Sequence, residues 1–136
     1  MTLETRTETD TVDAGDALGR TLKSGDVVLL FGELGAGKTA FVRGLARGIG
    51  ANPDDVSSPT FTIIQEYRGD STTLFHIDLY RLEPPDIDDL GLDELISADG
   101  ITAIEWAERW RGRPDDAIEV RIEEAAGETR RIQIRR

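Results

Sequence analysis

Apolar residues along the chain fall into three kinds of run. The stretch 27–31 (VVLLF) is continuous, short and rich in β-branched or bulky residues, as expected of a strand buried on both faces. The stretch 101–105 (ITAIE) has the same character and ends in an acid. Helical spacing governs two other segments. Ala14, Ala17, Leu18, Thr21 and Leu22 share one face of a helix predicted over residues 10–22, with Asp10 or Thr11 as its cap. Phe41, Val42, Leu45, Ala46 and Ile49 share one face of a helix over 38–49, which Gly48 or Gly50 ends. Alternation marks the third kind: Ile118, Val120 and Ile122, then Ile132 and Ile134, with Gly127 between them, predict a closing antiparallel hairpin. Residues 61–67 and 72–79 read as two strands joined at Arg68-Gly69-Asp70-Ser71. Residues 52–59 read as loop, Pro84-Pro85 as a break, and 86–90 as a short helix. The order strand, glycine loop, helix, further strands predicts a mixed α/β sheet covered by helices.

Composition narrows the possibilities. A chain of 136 residues is the size of one domain, so a single domain over 1–136 is expected. Absence of cysteine excludes disulfides, thiolate metal sites and cysteine nucleophiles. No apolar run is long enough to span a bilayer. The polar, acidic first ten residues lack the basic and apolar regions of a signal peptide, so the expected compartment is the cytoplasm, without a membrane role. The net charge of -11 argues against gripping nucleic acid by general phosphate neutralisation. Only Lys23 and Lys38 are lysines among 16 basic residues, which draws attention to position 38.

Residues 32–39 read GELGAGKT and match G-x-x-x-x-G-K-[ST], between a predicted buried strand and a predicted amphipathic helix. Glycines let successive backbone N–H groups curl toward phosphate oxygens. The helix start aims its positive end at the same anion. Lys38 can reach the β- and γ-phosphates, and the Thr39 hydroxyl can ligate magnesium. The fold class expected is therefore a three-layer α/β, P-loop NTPase-like fold, with a mixed, largely parallel sheet and antiparallel hairpin additions. A magnesium site in such folds usually has an acid at the end of a neighbouring strand. Asp78 and Glu105 both qualify, and either can bear on the metal. The guanine-reading N-K-x-D segment is missing, since the single asparagine, Asn52, precedes a proline. ATP is thus the expected nucleotide. A metabolite kinase would need an arginine-bearing lid, and no arginine or lysine lies between Arg47 and Arg68.

Four blocks together resemble the TsaE family, the small bacterial ATPases of tRNA threonylcarbamoyladenosine biosynthesis. They are the phosphate loop, Ser58-Pro59-Thr60-Phe61, the run from His76 through Asp78, Tyr80 and Arg81 to Leu82, and Glu105-Trp106. The resemblance implies that Gly35, Ala36, Gly37, Lys38, Thr39 and the backbone of Ala40 wrap the phosphates. It implies that Thr39 and Glu105 hold Mg2+ and that Lys38, Asp78 and Glu105 serve hydrolysis, with Asp78 near the γ-phosphate. Ser58, Pro59 and Thr60 would form a switch-like loop, and His76, Tyr80, Arg81 and Trp106 would shape the switch and partner region. The adenine side would involve Val12, Glu108 and Arg130. The implied activity is a weak Mg2+-dependent ATPase stimulated by a TsaB–TsaD pair, with tRNA met only through that complex. Two further classes stay open: a small-metabolite kinase and a nucleotide-gated interaction protein. Against the functional roles stand plain ones. A lone histidine is commonly structural, Tyr80 and Trp106 can simply pack, and Arg81 can be an ion-pair partner of Asp78.

Overall fold

The computed structural model describes residues 1–33, 37–57, 64–96 and 100–136. In chain order the elements are β1 (Thr2–Thr5), α1 (Glu8–Gly19), β2 (Val27–Phe31), α2 (Lys38–Gly48), β3 (Ile64–Arg68), β4 (Thr73–Asp78), α3 (Pro84–Asp88), α4 (Leu92–Ile96), β5 (Gly100–Glu105), β6 (Ile118–Glu124) and β7 (Arg130–Arg135). One-turn 3-10 helices lie at Pro53–Asp55 and Ala107–Arg109. The strands form one seven-stranded sheet in the order β1-β7-β6-β2-β5-β4-β3. Strand β2 is central and runs parallel to β5 and β6, and β4 runs parallel to β5. The β3–β4 and β6–β7 hairpins and the β1–β7 pair are antiparallel. The expected architecture is present: a mixed sheet with a parallel centre, antiparallel additions and helices on both faces.

Alternation along β2 explains the layering. Val28 and Leu30 face a core shared with Leu18 of α1 and with Phe41, Val42 and Leu45 of α2. Val27, Leu29 and Phe31 face a second core with Ile77, Ile104, Ile87 of α3 and Leu92 of α4. All five β2 residues are buried, as their continuous apolar run requires.

Helices α1 and α2 cross unusually closely. A Cβ built on Gly44 would lie 2.0 Å from the Val12 carbonyl oxygen, and one on Gly15 would lie 2.2 Å from that of Phe41. Gly19 and Gly48 complete the contact, so this face is made of glycine, not of apolar side chains. Asp16 locks the crossing. Its carboxylate accepts from Arg20 one turn on, at 2.5 Å, and from Arg47 of α2. Arg47 also reaches Asp13 at 2.7 Å.

Several local readings change. Helix α1 starts at Glu8 and ends at Gly19, two to three residues earlier than expected, and Thr7 is the cap instead of Asp10 or Thr11. The Thr7 hydroxyl accepts the Asp10 N–H at 3.1 Å, and the Asp10 carboxylate accepts the Arg6 N–H, also at 3.1 Å. The Thr7 cap satisfies one of the free N–H groups of the first turn and fixes the helix start at Glu8. Ala17, placed above on the buried face, is exposed, because the crossing turns Gly15, Asp16 and Gly19 inward. Strand β1 and helix α4 were not expected at all.

Candidate functional site

The carboxyl ends of β2, β5 and β4 lie side by side. Register pairs Leu30 with Glu105 and Glu105 with Asp78, so the two acids occupy neighbouring rungs beside the end of β2. Open α/β sheets bind ligands at this edge. Gly37 caps α2 with φ +105°, a left-handed conformation that glycine adopts without steric cost. Lys38 follows as the first residue of α2 and is 4% exposed. Its ammonium donates to the Gly32 carbonyl at 2.6 Å and lies 3.8 Å from the centre of the Trp106 ring. Burial pulls the Lys38 pKa below its ordinary value, while the charges of Glu105, Glu108, Asp78 and Glu33 oppose that shift. Among the described residues no carboxylate makes an ion pair with it.

The acids differ in their settings. Glu105 is buried and accepts from His76 Nε2 at 2.5 Å. Asp78 accepts the Tyr80 N–H at 2.9 Å, yet burial raises its carboxyl above the usual carboxylate value. Trp106 stands at the end of β5 with φ 58° and ψ 41°. A bulky residue there is strained by roughly 1–3 kcal/mol, held by its surroundings. Those surroundings are Lys38, the Tyr80 ring at 4.9 Å and the Arg109 guanidinium 5.9 Å from both rings.

On the other flank of β2 a cavity of about 680 Å³ opens, lined by Phe31, Gly32, Trp106, Glu108, Arg121 and Glu124 among others. Arg130 reaches the loop from this side: a Cβ built on Gly37 would lie 4.0 Å from Arg130 Nε and 3.7 Å from Thr11 Cγ2. Arg130 also donates to the carbonyls of Gly127 and Thr129.

The structure thus gathers Gly37, Lys38, Asp78, Glu105, Trp106, Tyr80 and Glu108 at one edge, with Arg130 beside the loop. Thr39, partly exposed, and Ala40, buried, sit in the first turn of α2. Val12 lies on α1, where its carbonyl faces Gly44; the neighbouring Thr11 is the residue beside Gly37. Arg81 is exposed. Gly35, Ala36, Ser58, Pro59 and Thr60 lie outside the described residues. Sequence reasoning did not single out Tyr67, Phe31, Arg121 or Thr11. Only Tyr67 is buried on its strand, with Gln65 partly buried on the same face.

The donor set is suited to a hard cation. It offers a threonine hydroxyl and two carboxylates, with no soft ligand. Among the described residues no group of three or more imidazole or carboxylate side chains can hold a metal by itself. An ion here would therefore need oxygens from a ligand, as magnesium commonly takes them from phosphates.

Fold and site together define a three-layer α/β protein of the P-loop NTPase-like class. The family model described as threonylcarbamoyl adenosine biosynthesis protein TsaE matches residues 5–132. The chain belongs to the TsaE family. It is 39% identical to the tRNA threonylcarbamoyladenosine biosynthesis protein TsaE of Treponema pallidum, over 98% of this chain and 99% of that one. The Aquifex aeolicus protein of the same name is 43% identical over 95% of this chain and 91% of its own length. The crystal structure of Bacillus subtilis YdiB superposes with a TM-score of 0.78 at 32% identity, covering 98% of this chain and 83% of that one.

Proposed function

We propose that this chain is the Mg2+-dependent ATP-binding and ATP-hydrolysing component of tRNA threonylcarbamoyladenosine biosynthesis, acting with a TsaB–TsaD pair. The observation that carries the reading is Lys38. It is a buried ammonium that makes no ion pair among the described residues, at the start of a helix, beside a left-handed glycine and two in-register acids. A phosphate chain is the counter-charge such a group lacks. Backbone N–H groups around Gly37, Lys38 and Thr39, together with the Lys38 ammonium, would hold the β- and γ-phosphates and stabilise charge on the transferring phosphoryl group. Thr39 and Glu105 would hold magnesium, which supplies charge neutralisation across the β- and γ-oxygens. Asp78 would orient the attacking water, and its raised carboxyl pKa is tuned toward exchanging a proton with it. The cavity lined by Phe31, Trp106, Glu108 and Arg121, with Arg130 beside Gly37, would be the space open to the base.

The sequence shows no obvious arginine finger supplied in cis, and unassisted hydrolysis in P-loop proteins can be as slow as roughly 10⁻⁴ per second. Weak activity alone and stimulation by TsaB–TsaD follow. The net charge of -11 fits a component that meets tRNA only through its partners. The test is phosphate release from Mg2+-ATP by the protein alone and with the TsaB–TsaD pair, beside a Lys38→Ala control. Stimulation that disappears in the control supports the reading. A phosphorylated metabolite in place of free phosphate would replace it with a kinase. Complex formation without any stimulation would replace it with a nucleotide-gated scaffold.

A further inference from the structure

A line of polar groups runs through the apolar layer beneath α2. Tyr67 on β3 is 5% exposed, His76 on β4 is 0% and Glu105 on β5 is 3%. Each belongs to a different strand, and the three strands are adjacent. His76 Nε2 lies 2.5 Å from Glu105 Oε2, and His76 Nδ1 lies 3.0 Å from the Tyr67 hydroxyl. The Tyr67 hydroxyl also bonds the Gln65 side chain and the Ser57 backbone. Apolar residues surround the line: Leu74, Ile101 and Ala103 on the same strands, Phe41 and Val42 above.

The hydrogens sort themselves. A carboxylate oxygen only accepts, so Nε2 carries a hydrogen and donates it to Glu105. Burial pushes the Tyr67 pKa up to about 12, so its hydroxyl keeps its proton. That proton has two acceptors facing it, Gln65 Oε1 and His76 Nδ1. Whichever takes it, the Nε2–H···Oε2 bond stands. One oxygen of Glu105 is thereby fixed by the imidazole, and Oε1 is the oxygen left to serve the site.

We propose that His76 and Tyr67 are positioning residues, which through this buried line set the orientation of the Glu105 carboxylate for a divalent cation bound with nucleotide phosphates. The inference rests on the reading of the edge as a Mg2+-nucleotide site. It deepens that reading by assigning the work of orientation to residues that touch neither nucleotide nor cation. Burying three polar side chains between strands costs stability relative to an apolar layer. What the arrangement yields in return is a carboxylate with a single rotamer and one committed oxygen. Ligands held in this way by a hydrogen-bonded outer partner typically lose ~10–100-fold in metal affinity when the partner is removed.

The test compares ATP affinity in EDTA with ATP affinity in Mg2+, and follows bound Mn2+ by its electron paramagnetic resonance spectrum with ATP present. In the unaltered protein Mg2+ should strengthen ATP binding, and Glu105→Ala should abolish the gain. If the unaltered protein shows no such gain, the nucleotide-site reading and this inference fall together. Given the gain, His76→Leu, similar in bulk and apolar, should cut it about tenfold. It should leave ATP affinity in EDTA within a factor of about two, since the outer partner acts on the metal alone. His76→Gln restores an N–H donor and should recover most of the gain. Tyr67→Phe, which keeps the ring, should lose about threefold, being one bond further from the ligand. His76→Leu that retains the full gain and an unchanged Mn2+ spectrum would overturn the proposal and leave the line a packing device. Should His76→Leu not fold, Tyr67→Phe decides: an unchanged gain and spectrum would overturn it equally.

Discussion

Two regions of this protein bury charge, and they do so in opposite ways. At the α1–α2 crossing, Asp16 is buried but meets two guanidiniums, those of Arg20 and Arg47, whose own side chains stay 71% and 40% exposed. Those bonds hold its carboxyl below the usual carboxylate value against the opposing pull of desolvation. At the sheet edge, Lys38 is buried against a backbone carbonyl and an indole, and its pKa falls. Asp78, a strand away, is pushed up by desolvation. Charge that is paired on burial supports the fold, whereas charge left unpaired keeps its interaction free energy for a ligand. The crossing is thus built to stay closed, and the edge, on the function proposed above, to be completed by a ligand.

The largest expected effect breaks the second half of this comparison. Lys38→Met removes the ammonium and keeps the chain length. Loss of one preorganised group that stabilises transition-state charge costs on the order of 10²–10³ in rate. Partner-stimulated phosphate release should fall by that much, while the melting temperature holds or rises, because a desolvated charge has gone. A melting temperature that drops with the activity would show that Lys38 supports the fold as Asp16 does.

At the crossing the order reverses. Gly44→Ala places a methyl 2.0 Å from the Val12 carbonyl oxygen and 2.6 Å from the Asp16 nitrogen, both backbone atoms. The helices must part, at about 2–3 kcal/mol in a urea titration, the upper range for overpacking. Asp16→Ala follows at about 2 kcal/mol, since hydrogen bonds to a charged group are worth roughly 1.5–3 kcal/mol and the two arginines regain water. Neither variant should change phosphate release per folded molecule. A loss of turnover in folded Asp16→Ala would couple the regions that burial separates.

The same contrast governs what could be read from sequence. Strands β2 and β5 and helix α2 were legible because each buries one dominant apolar pattern. The hairpin at Gly127 was legible for the same reason: its φ is +60° and the flanking isoleucines alternate. The α1 face was read only in part: Leu18 is buried and Ala14 and Leu22 pack on the core, but the close crossing selects glycine, so the inward turn of Gly15 and Gly19 left no hydrophobic signature and Ala17 faces out. The matched spacings Gly15-x-x-x-Gly19 and Gly44-x-x-x-Gly48 were its only trace. Strand β1 is four residues, three of them polar, and owes its existence to pairing with β7 and to the Met1 amino group on the Ile134 carbonyl at 2.9 Å. The line from Tyr67 to Glu105 joins residues 9 and 29 positions apart. Strand order brings them together, and no local pattern records it.

The smallest effect sharpens the comparison with one titration. Asp16 has a folded pKa below its ordinary value of 3.8, so the folded state binds fewer protons than the unfolded chain there. Its contribution is present above pH 3.8 and is lost as the pH falls through the depressed value. Asp78 is shifted the other way from the same ordinary value, so the folded state takes up a proton first as the pH falls. Its desolvation penalty, present at neutral pH, is relieved between the raised value and 3.8. Two aspartates therefore give stability opposite slopes in adjacent acid windows. Asp78→Asn should raise stability slightly at pH 7 and remove the relief on mild acidification, so that its urea midpoint declines sooner as the pH drops. Asp16→Asn should lower stability at pH 7 and flatten the fall below pH 3.8. Midpoints measured every half unit from pH 7 to pH 3 separate the two, and parallel curves for both variants would mean that the two carboxyls share one environment, not two.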